Sequence, residues 1–131
     1  GNPGQKYYYQ RHNIGFRIVD AFAERFGAQW QNKKLMERAE VTIDSQKIYL
    51  IKPTTFMNDS GKVIPFLQKQ GIALENILVV HDELELPFGT IKIRVGGSHR
   101  GHNGLRSIMQ HGGMNFARLR FGISRPENKQ D

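Results

Sequence analysis

The chain contains no cysteine, which excludes disulfides, thiolate nucleophiles and cysteine-ligated zinc together. That absence fits a reducing compartment. No apolar run approaches the roughly 20 residues that a helical membrane span needs, and no signal-peptide pattern is visible, although the sequence opens at Gly1 without a Met. Acidic residues are scarce: 12 Asp and Glu face 19 Lys and Arg, a formal net charge of +7. A surplus of that sign on a small chain favours a polyanionic partner, nucleic acid before an anionic membrane, with a basic enzyme that binds neither as the plain alternative. Internal repeats and low-complexity segments are also missing.

What is present suits one folded unit. At 131 residues with 38% hydrophobic and 24% charged side chains, residues 1–131 read as a single globular domain with a real core. Gly1-Asn2-Pro3-Gly4 is a turn sequence, and a domain seldom begins on its turn, so an apolar first strand upstream is expected; the end after Ser124 is similarly abrupt. Ile18, Val19, Phe22, Ala23 and Phe26 recur at helical spacing after Asn13, which can cap, and Gly27 is a stop. Gln31 to Glu40 reads as a polar connection or the approach to a strand. Val41–Asp44 and Lys47–Ile51 read as strands around a turn. A helix from Asp59 or Ser60 to about Gln70 conflicts with Pro65, so it starts later than its cap or kinks there. Strands are expected at Asn76–His81, Thr90–Val95 and Ala117–Ile123, with a short helix from Asn103 or Gly104 to Met109. Interleaved helices, strands and hairpins predict an α/β fold, a twisted mixed β-sheet flanked by helices.

The stretch His81 to Gly104, HDELELPFGTIKIRVGGSHRGHNG, holds more Asp, Glu, His and Asn than a core requires. Asp82 follows the apolar run Ile77-Leu78-Val79-Val80 and so sits at a buried strand end, where α/β proteins place chemistry. His12, at the mouth of the first helix, offers a base whose ordinary pKa suits neutral pH, and an acceptor such as Asp82 would hold its tautomer. Spacing alone does not bring the two together, and a lone histidine is more often a satisfied surface or core group. His99 and His102 stand three apart in a glycine loop, a weak pattern for a metal. That loop lacks the order of glycines and lysine that marks nucleotide-binding loops, so it reads as a lid, a close substrate approach or plain structure. Asn2, Asn58 and Asn103 each suit a turn, yet beside a base and a carboxylate they also suit positioning of a carbonyl and a water. Phe56-Met57 forms an apolar wall or ordinary core. Lys92, Arg94, Arg118 and Arg120 alternate with apolar residues in two strands, and if those strands are neighbours the four make a phosphate-gripping patch, the alternative being a solvated face.

Apart from the basic strand residues, these residues fall within five motifs that, in this order, resemble the bacterial-type peptidyl-tRNA hydrolase family. They are GNPG with Tyr7 following, RHNIGF at Arg11–Phe16, KPTTFMNDSG at Lys52–Gly61, HDELELPFG at His81–Gly89 and GGSHRGHNGLRS at Gly96–Ser107. The resemblance implies cleavage of the ester between a peptide and the 3′ ribose of tRNA. It implies His12 as the base that activates water, with Asp82 as its hydrogen-bonded partner. Asn2, Asn58 and Asn103 would position substrate and water, with Tyr7, Phe56 and Met57 around the peptide or terminal base. Arg94 and Arg120 would grip the tRNA 5′-phosphate. It further implies no metal or organic cofactor, no membrane partner, a cytoplasmic setting and a monomer. Gln10 and Glu85 depart mildly from the family pattern, which commonly has Thr and Asp there; the family's first strand and C-terminal segment are not in the sequence. A non-enzymatic RNA-binding relative, of the kind that serves intron splicing in chloroplasts, is the alternative, and the complete set of base, carboxylate and asparagines favours the enzyme.

Overall fold

The computed structural model describes residues 1–3 and 13–125. The order of elements is α1 (Ile14–Arg25), β1 (Gln31–Lys33), β2 (Met36–Ile43), β3 (Gln46–Pro53), a 3-10 segment (Met57–Val63), α2 (Ile64–Lys69), β4 (Leu78–Glu83), β5 (Ile91–Val95), α3 (Asn103–Gly112) and β6 (Ala117–Gly122). Among the described residues the strands form two three-stranded sheets. One is the antiparallel meander β1-β2-β3, and the other has the order β4-β6-β5. In the latter β4 runs parallel to β6 while β5 runs antiparallel to it, so the sheet is mixed.

Local chemistry explains where the elements start and stop. Pro65 stands in the first turn of α2, where its missing N–H costs no helical bond, so the helix begins after the 3-10 segment rather than at Asp59 or Ser60. Gln31–Lys33 is a strand rather than a loose connection, paired with Lys33 opposite Met36 across a reversal in which Leu35 takes a φ of 63°. Pro53 ends β3 as expected of a residue with no ladder donor. α3 runs to Gly112 and stops at Gly113, whose φ of 93° favours glycine.

The main core joins Met36 of β2 to Val63, Ile64 and Leu67 around α2, to Leu105 and Ile108 of α3, and to Leu74 and Phe116. Each such side chain contributes about 1.5–3 kcal/mol on burial. Ile91, Ile93 and Val95 share one face of β5 as their alternation requires, but that face is exposed.

Two close approaches set the frame of the site. A Cβ at Gly15 would lie 2.5 Å from the Val80 carbonyl oxygen, so only glycine lets α1 press this near to β4. The other face of the helix is tied to β3 by an ion pair of 2.6 Å between Lys52 and Asp20. Gly61 similarly lets the 3-10 segment lie on α3, where its N–H donates to Ser107 Oγ at 2.8 Å.

Candidate active site

β4 ends in three consecutive ionisable residues, His81, Asp82 and Glu83, all buried. Burying such groups is costly unless each is paired or neutral. Asp82, 4% exposed, meets His102 Nε2 through Oδ1 at 2.6 Å. His102 is the residue before α3, and its Nδ1 accepts the Leu105 N–H at 3.2 Å, an imidazole acting as helix N-cap. A backbone N–H can only donate, so Nδ1 holds a lone pair, and Nε2 carries the proton given to Asp82. With both nitrogens engaged, His102 is an orienting group and not a base. The sequence places the start of this helix at Asn103 or Gly104, and α3 does begin at Asn103, but His102 is weighed there only as a metal ligand; its position three residues before the first buried apolar residue of the helix, Leu105, is the signal for a cap.

His81 satisfies its burial by staying neutral. Its Nδ1–H donates to the Asp82 carbonyl at 2.7 Å, while Nε2 is buried with no hydrogen-bond partner among the described residues. Burial is the main cause that lowers its pKa to about 4, and the bond to the Asp82 carbonyl opposes this. Because the folded value lies below the ordinary one of about 6.5, the unfolded chain binds the proton first. Stability is therefore complete above about pH 6.5 and declines as the pH falls towards 4, by about 3 kcal/mol in all. Urea unfolding between pH 4 and 7 should show this slope in the wild type and a flatter one in His81→Asn, whose side-chain amide can still donate to the Asp82 carbonyl. An unchanged slope in the variant would assign the titration elsewhere.

The asparagines divide. Asn2 Oδ1 accepts the Met57 N–H at 2.7 Å, and its backbone exchanges two bonds of 2.7 Å with the side chain of Asn13. Asn13, 1% exposed, thereby joins the N-terminal turn to the start of α1 instead of capping the helix with its side chain. Met57 in turn lies beside His102: a Cβ on Gly104 would be 3.1 Å from Met57 Cγ and 3.0 Å from His102 Cε1. Asn2, Met57, His102 and Asp82 thus form one connected group. Phe56, Asn58 and Asn103 are exposed next to it, Phe56 by 56%. Tyr7 and His12 lie outside the described residues, and so does the expected pairing of His12 with Asp82.

The basic strands are neighbours, with Lys92 opposite Arg120 and Arg94 opposite Arg118, so the four share one face of the sheet. Their depths differ. Lys92 and Arg94 are exposed, whereas Arg118 is 2% exposed and donates to the carbonyls of Gly97, Ser98 and Met114 at 2.8, 2.9 and 3.3 Å. Arg118 is therefore a tether for the glycine loop and not part of an open patch. Arg120 donates to Glu83. Arg94 lies over Gly97, where a Cβ would come within 3.0 Å of its guanidinium carbon. Arg94, Arg120, Glu83, Asp82, His81 and His102 contribute to the lining of one narrow cleft of about 20 Å³, room for about one water.

Comparison with known proteins identifies the family of the chain. The profile of the family described as Peptidyl-tRNA hydrolase matches residues 1–131. A peptidyl-tRNA hydrolase of Rubrobacter xylanophilus is 43% identical over 131 residues, covering 100% of this chain and 73% of the relative. One of Sorangium cellulosum is 46% identical over 129 residues, 96% of this chain and 58% of that protein. The crystal structure of peptidyl-tRNA hydrolase from Acinetobacter baumannii superposes with a TM-score of 0.93 at 43% identity, covering 99% of this chain and 68% of that one.

Proposed function

Because the chain belongs to the peptidyl-tRNA hydrolase family, we propose that it cleaves the ester between a peptide and the 3′ ribose of tRNA by a metal-independent route in which His12 activates water. The observation that carries this reading is the Asp82–His102 pair. Asp82 is a buried carboxylate held by a donor on Oδ1, which leaves His102 with no lone pair to offer a water. The family resemblance assigns the base to His12, the neighbour in sequence of buried Asn13, with Asp82 Oδ2 as the acceptor proposed for its ring N–H.

In the proposed reaction a water bound by the asparagines attacks the ester carbonyl while His12 takes its proton. The oxygen of the tetrahedral intermediate is stabilised by side-chain amide donors, with Asn58 and Asn103 assigned to substrate and water. Collapse of the intermediate breaks the bond to the ribose 3′ oxygen, which leaves with the proton from His12. An ester needs less activation than an amide, so one positioned water, one base and oriented donors suffice. Phe56, Met57 and Tyr7 are assigned to the peptide or terminal base, and Arg94 and Arg120 to a tRNA phosphate. The basic surplus of the chain and the shared face of β5 and β6 support that last assignment.

The test is release of peptide from peptidyl-tRNA with and without a strong chelator. Full activity in chelator is expected, and loss restored by a divalent metal would replace His12 as the source of activated water. In the same assay, replacing Arg94 and Arg120 together by Gln should weaken tRNA binding by tenfold or more and reduce the slope of log affinity against log salt by about one to two. An unchanged slope would remove both arginines from the phosphate site.

A further inference from the structure

Glu83 has no part in the base and water chemistry, yet it is the most elaborately held carboxylate beside Asp82. Strand alternation turns it to the face of β4 shared with His81, and the parallel register brings that face beside Arg120 of β6. Its Oε1 accepts both Nε–H and Nη2–H of Arg120, at 3.1 and 2.9 Å. The backbone N–H of Glu85 approaches Oε2 at 3.4 Å. Both side chains are largely withdrawn from solvent, 11% exposed for Glu83 and 13% for Arg120. Burial alone would raise the Glu83 carboxyl, but the bonds from Arg120 and Glu85 hold it below its usual range, so the group is charged.

A buried ion pair is a poor way to join two strands, because desolvation offsets most of its attraction and apolar side chains would serve as well. It does fix a direction. Arginine has five N–H donors in a rigid fork, and Glu83 takes two from one edge. Arg120 and Arg94 line the same cleft, so the N–H groups of Arg120 that Glu83 does not take are the ones left for a ligand there. A free arginine would sweep through many rotamers and lose that freedom on binding an anion; this one has lost it already.

We infer that Glu83 is a positioning residue for phosphate recognition: it locks Arg120 so that the outer edge of its guanidinium and the Arg94 side chain converge on one terminal phosphate monoester of the RNA. Glu83 also offsets the charge of Arg120. The pair therefore discriminates by the placement of N–H groups, while the charge of Arg94 favours a monoester, with its charge near −2, over the singly charged diesters of the backbone. The inference rests on the assignment of Arg94 and Arg120 to a tRNA phosphate.

The experiment compares wild type, Glu83→Gln and Glu83→Asp on three substrates: peptidyl-tRNA with a 5′-phosphate, the same RNA with a 5′-hydroxyl, and an N-acetylaminoacyl ester of the trinucleotide CCA with a 5′-hydroxyl. In the wild type, KM should be lower for the phosphorylated RNA. Glu83→Gln should raise that KM about tenfold with kcat unchanged, and leave the other two substrates within twofold. Glu83→Asp, which keeps the charge but shortens the reach, should behave like Glu83→Gln. No phosphate dependence in the wild type would remove the arginine assignment itself. Wild-type discrimination retained in Glu83→Gln, or tighter binding of the phosphorylated RNA, would overturn the role of Glu83 alone. Loss of trinucleotide turnover in both variants would make Glu83 a scaffold group and equally overturn it.

Discussion

An Asp82→Asn protein is expected to release peptide about a thousandfold more slowly than wild type while unfolding at nearly the same temperature. The separation of effects follows from the His102 bond. His102 Nε2–H donates to Oδ1 of Asp82 at 2.6 Å, and the oxygen of an asparagine can accept that same proton. The α3 cap, made by His102 Nδ1 with the Leu105 N–H, would then stay in place. Holding the amide oxygen on His102 forces the NH2 group into the position of Oδ2, the acceptor proposed for His12. A donor there stabilises the wrong tautomer of the base, with its proton on the nitrogen that should face water. General base catalysis contributes about 10²–10⁴-fold, which sets the scale of the loss. His12→Ala should lose a similar factor, and the double variant should be little worse than either single one, because groups that act as a unit are not additive. Single-turnover release of peptide measures the chemical step directly. Turnover within tenfold of wild type in either single variant would end the assignment of a base oriented by Asp82.

How much of this could be read from the chain varies with the kind of information each feature needs. Alternation of period two put Lys92 with Arg94, and Arg118 with Arg120, on one face of each strand, and the register, by making the two strands neighbours, brings the four onto one face of the sheet. It could not give depth. Arg118 and Arg120 occupy equivalent places in the pattern, yet one is a tether for Gly97 and Ser98 and the other is paired with Glu83, because burial depends on which loop folds over the strand. Pro65 announced a late start for α2 through local sterics alone. The strand Gln31–Lys33 carried no apolar alternation, since all three side chains are exposed, and only its pairing with β2 makes it a strand. Of the site, the resemblance supplied the candidate residues, and geometry joins Asn2 and Met57 to His102 and Asp82. The cap made by His102 had a local signal in its spacing from Leu105, but its bond to Asp82 needed three dimensions, since it spans 20 residues and no local pattern marks it.

The largest effect on stability is expected at a position that no reading of composition would choose. Gly61→Ala should cost about 2–4 kcal/mol, a large part of the roughly 5–15 kcal/mol that holds a domain folded. A Cβ at Gly61 would lie 2.1 Å from the carbonyl oxygen of Ser107, 2.4 Å from its carbonyl carbon and 2.6 Å from His111 Nδ1. Two of these three atoms belong to the backbone of α3 and cannot swing aside, so the 3-10 segment must lift from the helix. Overpacking of this kind costs about 1–3 kcal/mol. Losing the buried bond from Gly61 N–H to Ser107 Oγ at 2.8 Å adds about another 1 kcal/mol. The displaced segment carries Met57 and Asn58 away from His102 and Asn103, so kcat/KM should fall along with stability. Gly71→Ala is the control: that residue has a φ of 84° with nothing within 4 Å of a Cβ, so only backbone strain of about 1–2 kcal/mol is expected and activity should be kept. Urea unfolding of the three proteins decides the matter. A Gly61→Ala protein within 1 kcal/mol of wild type would show that α3 and the 3-10 segment slide apart at little cost, and that their contact does not hold the asparagine and histidine sides of the site in place.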